Sequence, residues 1–247
     1  MKIAICQPTY LPWLGYFDVM DQVDTFVLLD SVQFEKQSWQ HRNRIKTATG
    51  LQWLTVPVIY RGHFGQHINQ VEIRDPEFAR KHSRGIELSY RRTPYFDAYY
   101  PELADVLNAQ AKGLLADLNA GLLRWFCAIL AIGTPVLRSS AMKTAGRRSD
   151  LLVNICGELK AESYLSPPGS ATYLLSDLEL FVNAGIEVEF HHYAHPEYSQ
   201  LFPPFCPYAS ALDLVFNEGP RSLEVLRSGR RSPLLPTQVS ALQQASA

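Results

Sequence analysis

The stretch KIAICQPTYLPWLGYFDVMDQVDTFVLLD, Lys2 to Asp30, decides the fold. KIAIC is an apolar run of the length of a short buried strand. LGYFDVMDQV carries apolar side chains at helical spacing, and TFVLLD is a second continuous apolar run that closes on an acid. Strand, helix and strand within about thirty residues make a βαβ unit. Parallel neighbours need a crossover that covers a sheet face, so this unit predicts a mostly parallel sheet flanked by helices, an α/β fold.

The pattern continues outward from there. SVQFEKQSWQHRNRIKTATGLQWLTVPV, with its Thr-Gly turn and the run from Leu51 to Val58, predicts a β-hairpin, and HINQVEI predicts a further strand. Residues 76–132 keep helical period almost throughout and form a mainly helical internal section, opened by a proline at a first helical turn. Alternation then returns. TPVLRSS reads as a strand, SDLLVNICGELKA as a helix capped by Ser149, and SYLS as a strand. ATYLLSDLELFVNAG reads as a helix ending at Gly185, and IEVEFHHY as a strand of period two. A proline-rich, aromatic loop spans His195 to Tyr208 and leads into the short helix ASALDLVFN. No repeat or linker divides the chain. Residues 1–230 read as one α/β domain and 231–247 as a mobile C-terminal tail.

Composition narrows the class. Of 247 residues, 47% are hydrophobic and 19% charged, enough for a sizeable core and too apolar for a disordered chain. A net charge of −1 makes no bulk case for nucleic acid or an anionic membrane. Cys6, Cys127, Cys156 and Cys206 lack CxxC spacing, so neither a disulfide framework nor a zinc site is predicted. His191, His192 and His195 resemble a metal cluster, but strand alternation parts the first two and no matching carboxylate set accompanies them. The longest apolar stretch is broken by Arg124, Gly133 and Pro135, which excludes membrane insertion through it. MKIAIC leaves no room for a signal-peptide core, and a cytoplasmic location is expected.

Candidate site residues fall into three groups. Ligands of open α/β sheets bind beyond the carboxyl ends of strands, where QPTYLPWLGYF lies. Gln7, Tyr10, Trp13 and Tyr16 are candidate pocket walls, and Gly15 is expected to let a ligand approach the helix start. In DSVQFEKQSWQHRNRIK, Asp30 ends the second strand, and Lys36, Asn43 and Arg44 suit phosphate or carboxylate recognition; Phe34 and Trp39 are interleaved with these cations. The third group is Tyr198 and Gln200, in a loop too aromatic for a plain connection. Cys6 lies in an apolar strand, unsuited to a thiolate nucleophile.

IAICQPTYLPWLGYF, FVLLDSVQFEKQSWQHRNRIK, LTVPV, YLSPPGSATYL and YSQLFPPFCPYASALDLVFN, in that order, resemble the WbqC-like family, up to about Gly219. These are bacterial proteins found largely among genes for O-antigen and other surface polysaccharides or for specialised metabolites. The resemblance implies modification of an amino sugar or a carrier-bound intermediate. LPWLGYF followed by a helix and DTFVLLD is also similar in layout to the HxGH loop of nucleotidylyltransferases and pantothenate synthetase, a Rossmann-like setting. Trp13 and Tyr16 stand here in place of its two histidines, so adenylyl transfer loses its usual charge stabilisation. Together these readings predict a transferase moving an acyl or aminoacyl group to an amine. Asp30 would be its general base or the group that orients the amine, with Lys36, Asn43 and Arg44 on phosphate or a developing oxyanion. The alternatives are an ATP-using adenylating enzyme and a non-catalytic partner in a glycan-assembly complex. No cofactor is firmly implied. The substrate is a small or carrier-bound molecule bearing a nucleotide or phosphopantetheine, and other enzymes of the same biosynthesis are the expected partners.

Overall fold

The N-terminal apolar run becomes the central strand of the sheet. In the computed structural model, which describes residues 1–245, β1 (Lys2–Cys6), α1 (Leu14–Met20) and β2 (Thr25–Leu28) form the expected βαβ unit. The hairpin β3 (Arg42–Thr47) and β4 (Gly50–Thr55) follows, then the helices α2 (Glu77–Tyr90), α3 (Phe96–Ala109) and α4 (Leu115–Ile129). The chain returns to the sheet through β5 (Val136–Arg138), α5 (Arg148–Glu158), β6 (Ser163–Ser166), α6 (Ala171–Leu174), α7 (Leu178–Asn183) and β7 (Glu187–Phe190). It closes with α8 (Leu212–Glu218), α9 (Ser222–Ser228) and α10 (Pro236–Ala245).

The five-stranded sheet is parallel, in the order β5-β2-β1-β6-β7, and the hairpin is a separate two-stranded antiparallel sheet. Strand order therefore reverses between β1 and β6, and such sheets hold ligands beyond the carboxyl ends of the strands there, where the loop after β1 begins. The continuous apolar runs have a direct cause: both faces are covered. Ala4, Cys6, Phe26 and Leu28 join the cluster that includes Phe17, Leu54, Leu122, Phe126 and Phe216. Ile3, Ile5, Val27, Tyr164 and Val188 join the opposite one with Leu152, Ile155 and Phe181. Neighbours on one strand thus serve different cores, which a half-solvated sheet would not require. Among the described residues no helix is long and apolar enough to cross a membrane.

Three local expectations are corrected. HINQVEI is no strand: Ile68–Gln70 is a 3₁₀ turn, because the Gln70 side chain accepts the His67 N–H at 3.1 Å and the Gln66 side chain donates to the Gln70 carbonyl at 2.7 Å. Ser149 does not cap α5. It donates to Asp177 Oδ2 at 2.6 Å, in the tight turn that splits the expected helix of 171–185 into α6 and α7. The expected tail folds back onto the sheet. Leu234 exchanges two 2.8 Å backbone bonds with Phe190 and α10 covers β7, satisfying an edge strand that would otherwise stand open. The last two residues of that tail lie outside the described residues.

Candidate functional site

Three loops meet beyond the carboxyl end of β1, sewn together largely through their backbones. The Tyr10 N–H donates to the Trp39 carbonyl at 2.9 Å, the Ala211 N–H to Pro12 and the Ser210 N–H to Arg44, both at 2.8 Å. Asn43 Nδ2 donates to the carbonyls of Tyr10 (3.2 Å) and Leu11 (2.8 Å), while its Oδ1 accepts the Arg44 N–H. Each loop also holds one non-glycine residue in the left-handed region: Leu11 at φ 44°, Gln37 at 56° and Tyr208 at 62°. Such backbone is sparsely populated and concentrates at functional loops.

Between the loops lies a cavity of about 330 Å³ lined by Thr9, Trp13, Tyr16, Trp39, Asn43, Arg44 and Tyr208. Trp13 reaches it because position 15 has no side chain: a Cβ on Gly15 would sit 2.2 Å from the indole. Gly15 therefore makes room for Trp13 rather than for a ligand at the helix start. The Tyr16 hydroxyl donates to the Gln7 carbonyl at 3.1 Å and its ring packs edge-on to Phe26. The Arg44 guanidinium lies 5.6 Å from the Trp39 ring and 5.5 Å from the Trp53 ring, and its buried Nε has no partner.

The sequence-derived candidates thus divide. Trp13, Tyr16, Asn43 and Arg44 line the cavity; the other candidates do not. Tyr10 is fully buried, its hydroxyl 2.7 Å from His82 Nδ1. Gln7 is exposed, and its Oε1 accepts from Gln40 at 2.8 Å. Lys36 is exposed, 4.4 Å above the Tyr60 ring. Asp30 is fully buried and saturated. Its carboxylate accepts from Arg138 Nε at 2.6 Å, the Ser139 hydroxyl at 3.1 Å, and both the N–H and hydroxyl of Ser140 at 2.9 Å. With every lone pair engaged, it clamps the ends of β2 and β5 together and has no free oxygen for a base.

The loops on either side of this cavity fall inside residues 7–225, the span over which the chain matches the model of the WbqC-like protein family. The chain belongs to that family. It is also 36% identical over 231 residues to Rv1507c of Mycobacterium tuberculosis, an uncharacterized protein, covering 93% of this chain and 99% of that one. No solved structure matches it.

In this WbqC-like chain the third loop is held by a buried polar network. Tyr198 and Gln200 both donate to Asp213 Oδ2 at 2.8 Å, and Gln200 also accepts the Cys206 N–H at 2.8 Å. Burial pushes the Asp213 carboxyl up to about 6, against the opposite pull of those two hydrogen bonds. The buried Lys46 ammonium donates to the Pro204 carbonyl at 2.7 Å and to Cys206 Sγ at 3.0 Å. Tyr198 and Gln200 therefore act on the cavity indirectly, by fixing the loop that presents Tyr208. Cys6 stays a thiol, pushed up to about 12 by burial.

Sequence reasoning passed over Thr9, Trp39 and Tyr208 as site residues, although all lie in stretches it singled out. It set His195 aside with the metal candidates. His195 stacks on Trp13, with ring centroids 6.3 Å apart and planes 13° from parallel, and meets Tyr208 at 5.1 Å. Its Nδ1 lies 2.9 Å from the Pro196 carbonyl, its buried Nε2 has no partner, and burial lowers its pKa. A neutral imidazole with one nitrogen pinned and the other open beside the cavity wall has the form of a proton acceptor.

His82, beneath the site, gives a stability test. Burial holds its pKa down at about 4, against an ordinary 6.5. The unfolded chain takes up the proton first, so stability is full above pH 6.5 and falls as pH drops toward 4. At about 1.4 kcal/mol per pH unit the loss approaches about 3 kcal/mol. Urea unfolding at stepped pH should show this slope in the native chain and a flatter one in His82→Gln.

Proposed function

We propose that this WbqC-like chain is a biosynthetic transferase. It holds an anionic, ring-bearing substrate between the loop after β1 and the cationic hairpin, and moves an acyl or aminoacyl group to an amine. The observation that carries this reading is Arg44: a half-buried guanidinium with an unpartnered Nε, lining a cavity of about 330 Å³ whose walls are mostly aromatic. An apolar hollow with a few convergent polar groups is the usual form of a small-molecule site.

In the reaction the amine lone pair attacks the acyl carbon. A C–N bond forms, the C–S or C–O bond to the donor breaks, and the proton from nitrogen passes to a base and then to the leaving group. Arg44 holds the phosphate or the developing oxyanion through its forked N–H groups. His195 takes the proton at Nε2, with Nδ1–H held by Pro196. Its ring sits one layer behind the cavity wall, so the acceptor reaches it when the exposed Tyr208 ring turns aside. The acceptor is an amino sugar or a carrier-bound amine, in surface-polysaccharide or specialised-metabolite biosynthesis in the cytoplasm.

The test is incubation of the full chain with nucleotide-linked amino sugars and acyl thioesters, read by mass spectrometry. An acylated amine and one equivalent of free thiol support the reading. Pyrophosphate release on adding ATP, without acyl transfer, would replace it with adenylation. Turnover with neither, together with tight capture of a glycosyltransferase, would make the chain a scaffold.

A further inference from the structure

We infer that the solvent-facing side of the β3–β4 hairpin is a platform for a nucleoside diphosphate group, continuous with the cavity. The inference rests on the transferase reading for the fate of that group, while its geometry stands apart from it.

Strand alternation turns Asn43 and Ile45 inward and Arg42 and Arg44 outward, and pairing sets Trp53 directly across from Arg44. The Trp39 and Trp53 rings lie 5.2 Å apart at 34°. Arg42 covers Trp53 at 4.4 Å, and Arg44 sits 5.5 Å from Trp53 and 5.6 Å from Trp39. The result is a short ladder of two indoles and two guanidiniums, open on one side: Trp39 is 48% and Trp53 43% exposed. Paired, half-bare indoles on a surface are unfavourable in water and mark a contact site.

The charges point the same way. Some surface arginines find carboxylates, as in Arg80–Glu77, Arg84–Glu87 and Arg227–Asp21, and others such as Arg91 and Arg92 stay open to water. Arg42 and Arg44 form no ion pair among the described residues, and the Nε of each is buried without an acceptor. Desolvated, unpaired donors are costly, and an anion removes that cost. Two outward positions on one strand are about 6.6 Å apart, close enough for both forks to grip adjacent phosphates. An indole face is a stacking surface for a base. Trp39 and Arg44 belong both to the ladder and to the cavity, so a ligand with its base on Trp53 and its phosphates on the arginines would pass its remaining end inside. The ladder is too short, and the chain at −1 too little charged, for a polymer track.

Nucleotide-linked sugars and coenzyme A share this chemistry, and the binding experiment separates them. Tryptophan quenching and calorimetry on the full chain would compare UDP, dTDP, ADP, coenzyme A, phosphopantetheine, pyrophosphate and a short oligonucleotide. At least one nucleoside diphosphate should bind more tightly than pyrophosphate and than phosphopantetheine, with UDP or dTDP leading for a sugar donor and ADP and coenzyme A for a thioester. Trp53→Ala and Arg42→Ala should each weaken it roughly tenfold, and Trp53→Phe should keep most of the affinity. Both residues are on the surface, and circular dichroism checks the fold. Equal binding of pyrophosphate, unchanged affinity in Trp53→Ala, or tighter binding of the oligonucleotide would overturn the inference. Binding with this mutational pattern but no transfer would sink the transferase reading alone. Transfer with KM indifferent to Arg42 and Trp53 would sink the platform alone.

Discussion

Replacing Arg44 with alanine lowers kcat/KM for transfer, and affinity for the anionic substrate, by roughly 10²–10³-fold, the cost of removing a charged donor from a developing oxyanion or phosphate. Stability should barely move. Arg44 pairs with no carboxylate among the described residues, so its removal strands no partner. What disappears is its contact with the half-bare rings of Trp39 and Trp53, worth about 0.5–1 kcal/mol. Arg44→Lys restores charge but not the planar fork and should recover only part of the loss. Steady-state kinetics beside thermal melting reads both halves of this expectation. Activity within twofold of the native chain would remove Arg44 from the site.

Asp30→Ala should do the reverse, and it decides between the role expected from sequence and the one its contacts describe. The substitution takes the buried Asp30 acceptor from Arg138, which keeps only Asp117, and from the hydroxyls of Ser139 and Ser140 and the Ser140 N–H. Removing one partner of such a group costs about 3–5 kcal/mol. Chemical denaturation should show that drop as a lower midpoint at unchanged slope, while protein that remains folded keeps its KM. A variant of native stability that had lost only turnover would restore Asp30 as the base and end the clamp account.

The contrast between these two residues shows what kind of information a sequence holds. Both stand in one polar stretch after the second strand, and both were legible as belonging near the same sheet edge. Nothing local separates an acid that will meet Arg138, 108 residues away, from an arginine that will meet no carboxylate among the described residues. Tyr10 and Trp13 make the same point. Three positions apart in one aromatic loop, one turns to His82, 72 residues on, and the other to the cavity and His195.

By itself the sequence determined the parallel sheet, the hairpin and the helical middle section, because periodicity is set by neighbours a few residues apart and needs only to know which faces are buried. It also determined that the loops after β1 and β2 would lie at one edge, since parallel strands end together. Tertiary structure alone decided which side chains in those loops were consumed as braces and which were left over, and it docked the C-terminal segment on β7. Those outcomes depend on partners brought close only when the chain closes on itself, and a side chain's freedom to bind a ligand is what remains after such partners are counted.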